Sequence, residues 1–144
     1  MEHCNGFPTP TKVEAPLGTY VNGYEDKRDW PNAYSSVIAM ILYLTSNTRP
    51  DISFSVHHCD WFTPNTKASH KTSVKRIFWY LQGTKDNCLF FNPYKKPVDC
   101  YADANFAGLW QHENPRDPIC ASGRTGFVLI FSNFPLLWVS KLQT

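Results

Sequence analysis

Val98-Asp99-Cys100-Tyr101-Ala102-Asp103-Ala104-Asn105-Phe106-Ala107-Gly108 places apolar Val98, Cys100 and Ala102 on one face of a strand. Asp99, Tyr101 and Asp103 fall on the other face, and the stretch runs into a small-residue turn closed by Gly108. A carboxylate at the end of a strand, just before such a turn, is where α/β and α+β enzymes often place a metal ligand. The plainer role for Asp103 is to cap the turn, and spacing alone leaves both roles open.

Working outward, the period is extended on both sides of this strand. Cys88 to Phe91 reads as a short strand, separated from Val98 by the turn-prone Asn92-Pro93-Tyr94-Lys95-Lys96-Pro97. Downstream, a polar loop from about Leu109 to Arg124 leads to Thr125 to Ser132. There Phe127, Leu129 and Phe131 alternate with Val128 and Ile130, so both faces are apolar, as in a strand covered on both sides. Asn133-Phe134-Pro135 turns the chain into Leu136 to Ser140. The expected result is a three-stranded antiparallel meander.

Upstream the period is helical. In Pro31 to Ser46, Tyr34, Val37, Ile38, Ile41, Leu42 and Thr45 follow the i, i+3, i+4, i+7 rule, with Met40 and Leu44 widening the apolar face. Pro50 suits the first turn of a second helix capped near Thr48 or Arg49. That helix turns Ile52, Val56, Cys59 and Phe62 inward and stops before Pro64. A third helix begins around Lys67 to Ser69, aligns Val74, Ile77, Phe78 and Leu81, and meets a C-terminal stop at Gly83. Short connections between the three predict a compact antiparallel bundle. Met1 to about Trp30 carries Pro8, Pro10, Pro16 and Gly18, lacks sustained periodicity, and reads as a linker or arm. The fold class is therefore α+β, organised as an arm (1–30), a helical unit (31–84) and a sheet unit (85–144).

Composition bounds the function. Hydrophobic residues at 42% and aromatics at 15% suffice for a core, which argues against wholesale disorder. A net charge of +2 neither demands nor excludes a polyanionic partner, so any nucleic-acid argument rests on local clustering. Five cysteines without a C-x-x-C pair suggest reduced thiols, and no apolar run approaches the ~20 residues of a membrane span. With no signal-peptide pattern at Met1-Glu2-His3-Cys4, the expectation is an intracellular chain, cytoplasmic or nuclear, with no membrane partner.

Two further clusters carry chemistry. Lys67, Lys71 and Lys75 stand at i, i+4, i+8 on the third helix, with His70 and Arg76 beside them, and make a basic ridge expected opposite the apolar face. The bland account is a solvated helix face; the sharper one is phosphate contact independent of sequence. His57-His58-Cys59 suggests zinc, but neighbours on a helix point about 100° apart and no second ligand pair lies at finger spacing. A buried Cys59 with one solvent-facing histidine is the better account.

Tyr101-Ala102-Asp103-Ala104-Asn105-Phe106-Ala107-Gly108 resembles the "Y-x-D-A-D-x-A-G" first strand of the RNase H domain in copia-type retrotransposon polyproteins. Tyr34 to Ile52 (YSSVIAMILYLTSNTRPDI), Val74 to Thr84 (VKRIFWYLQGT) and Ser122 to Thr144 (SGRTGFVLIFSNFPLLWVSKLQT) resemble segments colinear with it in the same family. The likeness runs from about Asp29 to the last residue. It implies a reverse-transcriptase thumb or connection region followed by strands one to three of an incomplete RNase H-like sheet.

The resemblance also implies a chemistry. RNase H cleavage uses two divalent ions, Mg2+ in the family, about 4 Å apart and held by several carboxylates. Asp103 matches one ligand. Asp99 shares its strand face, but four residues of strand span roughly 13 Å, too far to share those ions. Glu113 and Asp117 sit in a loop that the sequence does not place. The family's next ligand is a Glu on a helix after the third strand, beyond Thr144. Asn105 replaces the motif's second Asp, a position not assigned as a ligand. Asp103 is thus expected to be a remnant of an incomplete catalytic and metal set, with no ion held tightly. Lys67, Lys71, Lys75 and Arg76 become candidates for weak, non-specific contact with an RNA–DNA hybrid or DNA duplex. The family usually has a basic residue where Trp79 and Gln82 stand, which weakens that contact here. The leading expectation is a polyprotein fragment inactive alone. Its rivals are a nucleic-acid-binding or self-association module, including association with a full-length relative, and a nuclease completed by another chain.

Overall fold

The structure is a computed structural model that describes residues 6–11, 31–91, 97–105 and 123–143. In these, helices come first and strands follow, the α+β arrangement expected. Helix α1 (Pro31–Asn47) buries Tyr34, Ile38, Ile41 and Thr45, spaced so that about 100° per residue returns each to the same side. Met40, expected to widen that face, stands 62% exposed, because the stripe is narrower than the apolar spacing suggests. Helix α1 closes without a glycine: Leu44 O accepts the backbone N–H groups of Thr48 at 3.0 Å and Arg49 at 3.1 Å, while Ser46 Oγ and Asn47 Nδ2 add side-chain bonds to Leu42 O at 2.8 Å and Tyr43 O at 2.6 Å.

The second helix divides. Pro50–Ile52 forms a 3-10 turn with Arg49 at its cap, and α2 proper is Ser53–Asp60. Ile52, Val56, Cys59 and Phe62 are nevertheless all buried, as their spacing requires. A second 3-10 turn, Thr63–Asn65, leads to α3 (Ala68–Gly83), whose Val74 and Ile77 enter the core while Phe78 and Leu81 pack against its edge. Gly83 is the last helical residue and has no positive φ, so it does not act as a left-handed cap.

The core of this helical unit buries polar side-chain atoms that need partners. Tyr34 donates its phenol to Cys59 O at 2.9 Å, inside the bundle. Burial raises the Tyr34 phenol well above its ordinary range, and burial pushes the Cys59 thiol up to about 12, with Asp60 adding to both. Cys59 is therefore held as an unreactive thiol, the structural role expected of it.

Strands β1 (Val98–Asn105), β2 (Arg124–Phe131) and β3 (Phe134–Leu142) form an antiparallel meander in the order β1-β2-β3. Ser132 and Asn133, at φ 50° and 66°, make the two-residue link between β2 and β3. The turn thus lies one residue earlier than the sequence suggests, and Pro135 sits inside β3, opposite Ile130. Its missing N–H coincides with a register irregularity at Leu129/Ile130, the usual accommodation of proline in an edge strand. Cys88 to Phe91, expected as a strand, is not one. Its backbone pairs with no neighbour in the sheet, and Phe91 instead sets its ring against Phe134 at 5.6 Å and Phe131 at 6.2 Å.

One face of the sheet rests on the helices. Trp138 Nε1 donates to Thr45 O at 2.7 Å, and the Arg124 guanidinium lies 4.5 Å over the Phe54 ring. The pleat sends Phe127 and Val139, which face each other, and Leu129 and Leu137, likewise paired, to the opposite face. No helix among the described residues covers that face, and Leu137 remains 52% exposed. Burying the exposed remainder of each such side chain is worth about 1 kcal/mol. Purified chain at micromolar concentration is therefore expected to elute ahead of its monomer position in size-exclusion chromatography and to bind a hydrophobic dye. Leu137→Lys with Val139→Lys should shift it toward monomer. A monodisperse, dye-silent wild type would show that this face is already covered.

Candidate functional site

Asp103 lies two residues before the end of β1, opposite Gly126, and is exposed. It lines a cavity of about 350 Å³ between the helical unit and the sheet, with Asp51, Ser53, Phe54, Tyr101 and Trp138 among its walls. Asp99 is on the same strand face, four residues away. Glu113 and Asp117 lie outside the described residues.

Among the described residues Asp51 is the one further carboxylate lining that cavity, but its oxygens are engaged. Arg49 forks onto it, Nε to Oδ1 at 3.0 Å and Nη2 to Oδ2 at 2.7 Å, and Tyr80 donates its phenol to Oδ2 at 2.8 Å. Partial burial pulls the Asp51 carboxyl upward, and the hydrogen bonds from Arg49 and Tyr80 outweigh it, so the net position is below the usual carboxylate range. Among the described residues no group of three or more His, Cys, Asp or Glu could hold a metal ion. The donor set around Asp103 within those residues therefore does not fit a two-metal centre, which needs several free carboxylates converging on one pair of ions.

The basic residues of α3 do not share one face. Steps of four residues advance about 40° around a helix, so Lys67, Lys71 and Lys75 walk away from the core edge. Lys67 and Lys71 are half-buried and only Lys75 is exposed, which corrects the expectation of a ridge opposite the apolar face. His70 is not part of it. Its ring is buried, stacked 4.3 Å from Phe62, and its Nδ1 accepts the Lys67 backbone N–H at 3.0 Å, fixing the start of the helix. Arg76 is held by the arm, with Nε donating to Thr9 O at 3.1 Å and Nη2 to Thr9 Oγ1 at 2.9 Å.

The histidine pair on α2 divides as a core role requires. His58 is buried between Phe54 and Phe62, and His57 is half-buried. Burial lowers the His57 imidazole below its ordinary range, Arg124 and Lys141 push the same way, and Asp60 opposes them.

Comparison with known proteins places the chain. The retrovirus-related Pol polyprotein from transposon TNT 1-94 of Nicotiana tabacum is 34% identical over 110 residues, 76% of this chain and 8% of its own length. Those from transposons RE1 and RE2 of Arabidopsis thaliana are 29% and 27% identical over 114 residues, 78% of this chain and 7% of each relative. The chain belongs to the Pol polyproteins of copia-type retrotransposons. It spans less than a tenth of the length of these Pol relatives. No protein-family profile matches this Pol segment, and no solved structure matches it.

Sequence reasoning missed the Arg49–Asp51–Tyr80 cluster of this Pol segment. Arg49 Nη2 also reaches Thr84 Oγ1 at 2.6 Å, so the cluster clamps the α1–α2 link to the far end of α3. The available signal was an Arg and an Asp flanking Pro50; their partners lie about thirty residues away in sequence, where no local pattern points. Because the Asp51 carboxyl is held below its unfolded value, its contribution is full above about pH 4 and is lost as pH falls through the lower folded value. Asp51→Asn should cost about 1 kcal/mol at neutral pH, the scale of a partly exposed ion pair, and should flatten this part of the acid loss. Urea midpoints measured from pH 3 to pH 7 check it. An unchanged acid slope in the variant would mean that the clamp carries no stability.

Proposed function

We propose that this Pol segment comprises the thumb or connection region of a reverse transcriptase and the opening strands of an RNase H domain, and that alone it holds a nucleic-acid duplex without cutting it. The reading rests on the colinear resemblance along the chain and on one observation above all. Asp103 stands exposed near the end of β1, and the one other carboxylate that the described residues bring to its cavity is committed to Arg49 and Tyr80. Binding then falls to Lys67, Lys71 and Lys75, whose contacts would be to phosphates and indifferent to base sequence. Mg2+ belongs to the reaction of the complete parent domain rather than to this segment.

A second reading, self-association or association with a longer Pol chain, is favoured by the exposed Leu136, Leu137 and Val139 of β3. A nuclease completed by another chain requires more than one donated carboxylate and has no specific observation in its favour.

Fluorescence anisotropy with a labelled RNA–DNA hybrid across a salt series tests the leading reading. Affinity is expected to be weak and to fall with salt, with a log–log slope of about −2 to −3 if all three lysines meet phosphates. Changing Lys67, Lys71 and Lys75 together to Glu should abolish it; binding that survives the triple change would assign the contact elsewhere. The same protein with Mg2+ or Mn2+ should leave the hybrid uncut. Metal-dependent cleavage that vanishes in Asp103→Asn would overturn the inert reading and favour the completed nuclease.

A further inference from the structure

The sequence marks the first thirty residues as a linker, yet residues 6–11 lie along the outer side of α3. Phe7 packs its ring on Trp79 at 5.2 Å, and the Arg76 guanidinium covers the same ring at 4.3 Å. Beyond it, Thr9 takes both hydrogen bonds from Arg76. At the other end Gly6 meets Gly83 backbone to backbone. A Cβ on Gly6 would stand 2.6 Å from Gly83 Cα, and one on Gly83 would stand 2.9 Å from Gly6 Cα. Real side chains do not occupy such distances, so both glycines are explained by close approach. Gly83 has no positive φ that would otherwise require it.

These contacts have an unusual charge balance. Thr9 O, Thr9 Oγ1 and the Phe7 ring are all uncharged, so the described residues of the arm hold the Arg76 cation without neutralising it. Phosphate would offer the guanidinium an opposite charge and a bidentate pair of oxygens, neither of which the Thr9 oxygens supply. Trp79 stands one turn on from Arg76 on the same side of α3, so the covered strip is a guanidinium beside an aromatic plate, with exposed Lys75 flanking it. That combination suits a phosphate backbone with a base to stack, and the arm lies directly over it.

We infer that Gly6–Thr11 is a displaceable strap that covers the Arg76–Trp79 side of α3 and yields it to a polyanion. The inference rests on the duplex-binding reading for the identity of the polyanion, and on the contacts above for the strap itself. The competing groups are the Thr9 oxygens and Phe7 on one side and phosphate oxygens on the other.

Two variants of the full chain remove the strap from opposite sides. Phe7→Ala deletes the ring between Trp79 and Arg76. Gly83→Ala introduces a Cβ where Gly6 Cα must lie, while alanine favours the helix itself, so the bundle remains folded. The first readout is the rate of Arg76 modification by phenylglyoxal, mapped by mass spectrometry, which needs no nucleic acid. The second is anisotropy with the RNA–DNA hybrid. Both variants should raise Arg76 reactivity several-fold and tighten hybrid binding by about three- to tenfold, the scale of one added phosphate contact. The double variant should gain no more than either single one, and Arg76→Ala should erase the gain. Unchanged Arg76 reactivity in both variants would overturn the strap. Raised reactivity with unchanged or weaker binding, where the wild type does bind, would overturn its role as a cover. If no form binds the hybrid while reactivity rises in both, the duplex reading fails and the strap stands.

Discussion

Trp138 donates its indole N–H to the carbonyl of Thr45, and through that bond the sheet is tied to the helices. Thr45 is itself buried in the last turns of α1, and its Oγ1 donates onward to Arg49 O at 3.1 Å. Arg49 then grips Asp51 and Thr84, and Tyr80 closes the ring from α3. One threonine thus accepts from the strand and donates to the link between helices. Its surroundings cannot relax independently, because a buried carbonyl deprived of its donor costs about 1–3 kcal/mol. The position of the cavity beside Asp103 follows from this joint, since its walls are the link after α1 on one side and β1 to β3 on the other.

What the sequence makes legible is the part of the fold written in periodicity. The spacing of Ile52, Val56, Cys59 and Phe62 places all four inside even though the helix carrying them breaks at its start. The alternation in Val98 to Asp103 and Thr125 to Ser132 marks two strands that pair in register. The errors share a cause: residue type is read without its partner. Met40 is apolar but points outward, because it lies about 120° around α1 from the line of Tyr34, Ile38, Ile41 and Thr45. His70 looks like part of a basic face, yet Phe62 supplies a stacking surface and Lys67 a backbone donor, and the imidazole is held inside. Cys88 to Phe91 has strand composition with no strand among the described residues to pair with, and composition without a ladder does not hold an extended backbone.

The candidate site is less legible than the fold. Asp103 can be located on its strand from sequence, but the commitment of Asp51 depends on Tyr80, 29 residues later, and on the geometry of a guanidinium fork. The four basic candidates also separate once in place. A four-residue interval is close to a helical turn but overshoots it, so Lys67 and Lys71 flank the core while Lys75 reaches solvent. Arg76 joins the ridge by its charge, and only the docked arm reveals that its Nε and Nη2 donate to Thr9.

The two halves of this Pol segment differ in how completely they satisfy themselves. The helical unit encloses a core that runs from Tyr34 through Val56 to Ile77 and gives its buried phenol an acceptor. The sheet is finished on one face only, by an indole and a guanidinium that each find a partner across the joint. On its other face Phe127, Leu129, Leu137 and Val139 face one another across the strands, with no layer of described structure above them. A three-stranded sheet gains stability from a second layer far more than from its ladder, because the backbone bonds exchange water for carbonyl at little net gain while apolar burial does not. Substitutions on the helix-facing side should therefore act through the Thr45 joint and disturb the whole fold. Substitutions on the far side should leave the monomer nearly unchanged and act on whatever brings that face a cover.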